Sequence, residues 1–185
     1  MAAATIPTVE TARLLLRPFI VEDLEDYTHL IFADAEVMRY LPQRTSTPRE
    51  RAERTMAFFN DQWVQYGYSA WAVTDKVTGQ LRGHCGLNYL AEIEEVEVLY
   101  ALAKPDWGQG LATEAARASV HFGFEQVNLT RLIALAVPEN IASRRVMEHL
   151  GFVYEKDAHH FGLDLVQYAL QRVPFQGGPP FFLAP

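Results

Sequence analysis

The chain has 185 residues, 49% hydrophobic and 21% charged, with 23 acidic against 16 basic side chains and a formal charge of −7 at pH 7. That composition fills one core of ordinary size and excludes a largely disordered chain, while the acidity opposes binding along a nucleic-acid backbone, which needs Lys and Arg to displace counterions. No apolar run approaches the roughly 20 residues that cross a bilayer, and residues 1–7 lack the basic start and long apolar block of a secretory leader, so neither nucleic acid nor a membrane is expected as a partner.

Residues 12–19 alternate Arg13, Leu15 and Arg17 with Leu14 and Leu16 before Pro18, the pattern of a short strand ending at a turn. Over 21–40 acidic and apolar residues mix at helical spacing, and Thr47-Pro48-Arg49-Glu50 supplies a cap, a first-turn proline and an acid for a second helix through about residue 65. Residues 68–74 and 80–88, joined across Asp75-Lys76-Val77-Thr78-Gly79, read as a hairpin. Over 95–103, Val96, Val98, Tyr100 and Leu102 alternate with Glu97, Leu99, Ala101 and Ala103, as in a strand buried on both faces.

Leu111, Ala115, Ala118 and Phe122 fall at helical spacing within 111–126, and 132–137 reads as the strand that follows. Asn140 caps and Gly151 stops a shorter helix over 140–150, and 152–157 and 163–172 are the last strands. No repeat or linker divides the chain, so one domain over 1–185 is expected, with a core over about 10–172. In the tail, 173–185, prolines and glycines break regular structure while the aromatics prefer burial, against the domain or against a second copy in a homodimer. The lone Cys85 can form no internal disulfide and reads as a small buried side chain, which fits a cytoplasmic setting.

Lys104-Pro105-Asp106-Trp107-Gly108-Gln109-Gly110-Leu111 joins a buried strand to an amphipathic helix, with two glycines where the helix begins. Glycine lets the backbone approach a phosphate, and the free amides at a helix start stabilise negative charge. The Walker and GxGxxG spacings are both absent, and Gly108-x-Gly110 alone also reads as a tight turn that packs helix on strand. In its wider context, Trp107-Gly108-Gln109-Gly110-Leu111-Ala112 resembles the acetyl-CoA signature of the GNAT superfamily, Arg/Gln-Gly-x-Gly-x-Gly/Ala. Trp107 in the first place and Thr113-Glu114-Ala115 afterwards resemble its RimJ/RimL-like branch. Asn140-x-x-Ser143 followed by Leu150-Gly151-Phe152 resembles that branch's second signature, and Glu10-Thr11-Ala12-Arg13-Leu14-Leu15-Leu16-Arg17-Pro18 its first strand.

The resemblance implies an α/β (α+β) GNAT fold: a mixed, largely antiparallel seven-stranded sheet with about four helices, splayed between the strand at 95–103 and that at 132–137. Acetyl-CoA enters the gap as acyl donor, with no metal. By the resemblance, Gly108 shapes the loop, the amides of Gln109, Gly110, Leu111, Ala112 and Thr113 hold the pyrophosphate, and the backbone of Leu102 and Ala103 pairs with pantetheine as an added strand. Asn140 would bond the pantetheine or acetyl region and Ser143 would donate to the leaving thiolate. The residues by themselves leave Asn140 as an ordinary cap and Ser143 as a back-bonded helix serine. Many family members carry a tyrosine on this helix as proton donor. None stands between 140 and 152 here, which leaves Ser143, water, or an unassisted thiol with a pKa of about 8.5.

The implied activity is transfer of acetyl to a primary amine, a protein N-terminus or a small molecule, by direct attack. Such an amine is protonated at neutral pH, with a pKa of about 8 to 10.4, and must lose a proton first. Glu97 is the candidate base, since burial in an apolar strand raises a carboxyl pKa; it also reads as a partner for arginine or a solvent-facing edge residue. His84 faces the same side as Arg82 and Asn88 and could approach an acceptor, and neither it nor His159-His160 has metal-ligand spacing. The net acidity favours a cationic acceptor. The rival reading is a catalytically idle acyl-CoA-binding or sensing module that keeps Gly108, Gly110 and Asn140 without a usable base.

Overall fold

The computed structural model describes residues 6–42 and 45–172 and the backbone of 182–184. Thr8–Glu10 (β1) and Leu14–Arg17 (β2) form an antiparallel pair. Between them Thr11 closes a tight turn: its amide donates to the Leu14 carbonyl at 2.9 Å and its hydroxyl accepts the Leu14 amide at 3.0 Å. The strand expected over 12–19 is therefore only its middle, with a three-residue partner ahead of it that is too short to show a period.

Residues 21–40 do not form one helix. Asp23–Tyr27 (α1) runs into a wide π turn over Thr28–Phe32, closed by the Ala33 amide on the Thr28 carbonyl at 2.9 Å. Asp34 then accepts from the amides of Glu36 and Val37 and starts Ala35–Met38 (α2); an aspartate that bonds nearby backbone begins a helix more readily than it continues one. Pro48–Tyr66 (α3) has the expected start, with a reciprocal capping box between Thr47 and Glu50.

The hairpin is Ala70–Asp75 (β3) and Leu81–Leu90 (β4). Gly86 lets the two strands meet closely, since a Cβ there would lie 2.3 Å from the Ala70 Cα. Glu95–Leu102 (β5) leads through a short 3₁₀ turn, Lys104–Asp106, to Leu111–Glu125 (α4), then Arg131–Ala136 (β6), Ile141–His149 (α5), Val153–His160 (β7) and Leu163–Gln171 (β8). In the tail, residues 173–181 and 185 lie outside the described residues, while Phe182–Ala184 (β9) pairs with β1. A tail expected to avoid regular structure thus ends in a strand, at the one stretch without proline or glycine.

The strands make one sheet in the order β7-β8-β6-β5-β4-β3-β2-β1-β9. Among the described residues, nine strands and five α-helices stand where seven and four were expected, the added strands being the short pair at the β1 edge. All pairings are antiparallel except β5 with β6, which is parallel and registers at Glu97 and Ile133 alone. Beyond that point β5 and β6 separate, as the resemblance implied.

The alternation in β5 sorts its side chains between two layers. Val96, Val98 and Leu102 join α4 and Met147 of α5 in one apolar core, with Tyr100 packed against it. Ala101 joins Tyr27 of α1, Ile31 of the π turn and Ala52 and Phe59 of α3 in a second core, with Leu99 packed against it. Glu97, in step with Leu99 and Ala101, projects to the α1–α3 side, and Tyr100 to the α4–α5 side.

Candidate active site

The loop between β5 and α4 owes its shape to two glycines, Gly108 and Gly110, whose φ values of 73° and 76° are left-handed. Other residues enter that region at a cost of about 1–2 kcal/mol. Gly110 caps α4 and has no side chain to bond the helix start. The Glu114 amide bonds the Gly110 carbonyl at 3.0 Å, so the amides of Leu111, Ala112 and Thr113 lack an acceptor inside the helix and carry its positive dipole end. Trp107, Gly108, Gln109 and Gly110 are all exposed. An anion meets backbone donors there.

Three elements brace this loop, and the sequence reading named none of these contacts. Glu114 accepts from the Thr11 hydroxyl at 2.6 Å, the Arg13 amide at 2.8 Å and the Arg13 guanidinium at 2.7 Å. Burial pushes its carboxyl up, and these hydrogen bonds outweigh that and hold it below the usual range. Arg13 also donates to the Gln109 carbonyl at 2.9 Å. Arg82 bridges Asp75 at 3.2 Å and Asp106 at 3.1 Å, tying the hairpin to the turn before the loop. The Trp107 indole donates to the Leu102 carbonyl at 2.8 Å.

The register of β4 and β5 sets which backbone groups face the gap. Gly83 stands opposite Leu102 and Cys85 opposite Tyr100, and the Ala103 amide bonds the Arg82 carbonyl at 2.7 Å. Bonded and non-bonded pairs alternate in an antiparallel ladder, so Ala101 and Ala103 direct their backbone groups to β4, and Tyr100 and Leu102 direct theirs to the edge that β6 has left. The Ala103 carbonyl is taken as well, by the Asp106 amide at 2.9 Å. Of the two residues expected to meet pantetheine, Leu102 faces the opening and Ala103 turns away; Tyr100 continues that edge in its place.

On the α4–α5 side, Asn140 caps α5, its Oδ1 accepting the Ser143 amide at 3.1 Å. Tyr100 reaches this turn from β5: its hydroxyl donates to the Ser143 carbonyl at 3.0 Å and lies 3.0 Å from the Ser143 Oγ. Burial pushes the phenol above its ordinary range, so it stays protonated. Where the helix has no tyrosine, the strand facing it places one beside Ser143; its place on the inward face of 95–103 was the available signal.

On the α1–α3 side, Glu97 stands opposite Asn88. Burial raises its carboxyl to about 7, against a smaller lowering by the Asn88 amide. Asn88 Oδ1 is buried with no partner among the described residues, an acceptor beside that carboxyl. His84, opposite Ala101, lies four residues along the ladder, about 13 Å away at strand rise. Its Nδ1 is 2.8 Å from the Tyr27 hydroxyl, and burial lowers it to about 3, so the ring is neutral. It borders a pocket of about 390 Å³ whose apolar wall includes Phe32, Leu41 and Phe58.

Cys85 lies outside this chemistry: its thiol is buried, 3.4 Å from the Ser119 hydroxyl and pushed up to about 12 by burial. His159 pairs with Asp164 on the surface at 2.8 Å. Among the described residues, no three His, Cys, Asp or Glu side chains gather as metal ligands.

The acetyltransferase (GNAT) domain family matches residues 13–153. The chain is 32% identical to the uncharacterized protein YkkB of Bacillus subtilis over 161 residues, covering 85% of this chain and 92% of that protein. It is 31% identical to the uncharacterized N-acetyltransferase p20 of Bacillus licheniformis over 149 residues, 80% and 83% of the two chains. The crystal structure of an acetyltransferase from Agrobacterium tumefaciens superposes with a TM-score of 0.81 at 26% identity, covering 91% of this chain and 96% of that one. With the glycine loop, the parted strands and these relatives in agreement, the chain belongs to the GNAT acetyltransferase family and is an acetyl-CoA-dependent N-acetyltransferase.

Proposed function

We propose that the protein moves acetyl from acetyl-CoA to a primary amine by direct attack, with the divergence of β5 from β6 as the reaction centre. The observation that carries this reading is that the parting strands are flanked by Glu97 on one face and the Tyr100–Ser143 pair on the other. Acetyl-CoA supplies a thioester carbonyl activated for attack by an amine. The amides of Gln109 to Thr113 hold its pyrophosphate, with Gly108 and Gly110 giving the close approach. The outward backbone of Tyr100 and the amide of Leu102, whose carbonyl is held by Trp107, pair with pantetheine.

The acceptor enters from the α1–α3 side, past His84. Glu97, ionised above about pH 7, takes a proton from the ammonium through a water that Asn88 Oδ1 orients. The amine nitrogen then bonds the acetyl carbon, the C–S bond breaks and the thiolate leaves. As it forms, the Ser143 hydroxyl turns from Tyr100 to donate to sulfur, and the Tyr100 hydroxyl turns from the Ser143 carbonyl to bond the Ser143 oxygen. The second amine proton passes to solvent, and the thiolate regains one from the same source.

Calorimetric titration with acetyl-CoA, with thermal melts as the folding control, tests the core of this reading. Wild type binds, and Gly110→Trp, which places an indole in the cradle, weakens binding at least tenfold while still melting cooperatively. Equal affinity of the two proteins would place the phosphates elsewhere.

A further inference from the structure

The pocket beside His84 has a charge of its own. Its α3 wall is Arg51, Arg54, Thr55 and Phe58, spaced i, i+3, i+4 and i+7, so that one helical stripe faces the cavity. In a chain of net charge −7, this wall holds two arginines and, among the described lining residues, no carboxylate.

The acids nearby on the same helix are engaged elsewhere. Glu50 accepts the Thr47 amide in the capping box, at 2.9 Å, and Glu53 pairs with Arg49 at 3.1 Å. Arg51 is anchored, donating to the Pro42 carbonyl at 2.8 Å with its guanidinium carbon 5.5 Å from the centroid of the Phe32 ring. Arg54 is exposed, and the charge it feels on its own helix is that of Glu50 one turn earlier, whose carboxyl it helps hold low. Also lining the pocket, Ser46 Oγ is buried with no partner among the described residues, and His84, with Nδ1 held by Tyr27, has no hydrogen-bond partner at Nε2 among the described residues.

We propose that the acceptor is a primary amine that also carries an oxyanion, carboxylate or phosphate, held by Arg54 and Arg51, with an apolar group against Phe32 and Phe58. The proposal rests on the N-acetyltransferase reading above and narrows it. A guanidinium matches either oxyanion with paired N–H donors. Ser46 adds a hydroxyl donor, and a neutral imidazole adds a further hydrogen bond without repelling the ammonium end. A polyamine would set its distal cation against two arginines. The chain's overall acidity pointed to a cationic acceptor; the local field at the pocket has the opposite sign.

The test compares matched probes. Glycyl-phenylalanine is set against its C-terminal amide, phosphoethanolamine against ethanolamine, and 1,4-diaminobutane serves as the cationic arm. Turnover is followed by CoA thiol release, and binding by titration into protein saturated with CoA, which cannot turn over. The anionic member of at least one pair binds and reacts about tenfold or more better than its neutral partner, as expected for a lost charge-assisted bond. The pair that shows this tells carboxylate from phosphate. Arg54→Gln collapses the preference, and Arg54→Glu turns it toward diaminobutane.

Amines acetylated with no anionic preference, or a preference that survives Arg54→Gln in a normally melting protein, would overturn the proposal and leave the transferase standing. If acetyl-CoA binds, no amine reacts and the anionic probes bind no better than their neutral partners, both fall. Tighter binding of the anionic probes without turnover would keep the pocket assignment and overturn only the catalytic reading.

Discussion

Glu97 on one face and the Tyr100–Ser143 pair on the other carry the proposed proton chemistry, and each can be tested alone. A buried carboxyl near 7 is protonated, and useless as a base, below that pH. The turnover number at saturating amine therefore falls about tenfold per unit as pH drops below about 7. Glu97→Gln lowers it by about a hundredfold or more and removes that limb; a limb of the same midpoint in the variant would assign it to another group. Tyr100→Phe leaves Ser143 without its oxygen partner. It should lower turnover about tenfold while acetyl-CoA affinity, read by calorimetry, changes less than twofold. If the hydroxyls act as one unit, Tyr100→Phe adds little on top of Ser143→Ala; additive losses would mean separate roles.

At the scale of elements, one ion pair ties β2 to α1, on the side proposed for the acceptor. Arg17 at the end of β2 grips Asp23 at the start of α1 through two contacts of 2.7 Å, and the buried Asp23 also accepts the Ile20 amide at 2.9 Å. Arg17→Met strands a buried carboxylate and should cost about 3–5 kcal/mol in chemical denaturation; a loss below about 1 kcal/mol would show the pair to be solvated. Where an element has a strong local cause, the sequence displayed it. The capping box at Thr47, the hairpin turn and the glycine loop stand where their residues put them. What stayed hidden has non-local or very short causes. β1 is three residues long, the break in 21–40 turns on an aspartate that could equally sit on a helix face, and β9 exists only through its pairing with β1. The site divides in the same way. The amide cradle is a continuous motif and was legible, whereas the meeting of Tyr100 with Ser143, 43 positions away, needs the strand and helix to face each other. The turn of Ala103 away from the gap follows from ladder parity, which no single strand reveals.

For the molecule as a whole, charge and order are distributed unevenly. The formal charge of −7 coexists with an anion cradle of backbone amides and an arginine-lined pocket, so the sign of the total says little about either ligand. Strand pairing is incomplete where β5 and β6 part, and a ligand seated there would bind only the folded chain. Acetyl-CoA at a hundred times its Kd should therefore add about 2.7 kcal/mol of stability, a rise in Tm of roughly 5–10 °C for a chain of this size, seen in a melt and absent with Gly110→Trp. A Tm that ignores acetyl-CoA would count against the gap as its seat.

The single registered pair between β5 and β6, Glu97 with Ile133, sits at the point of a wedge. A wedge opens least at its vertex, so rocking of the β6–β8 leaf against the β1–β5 leaf displaces the outer residues near Leu102 far more than Glu97. In the proposed reaction, the mouth would yield to admit and release a bulky acyl carrier while the carboxylate at the apex kept its place against the attacking amine.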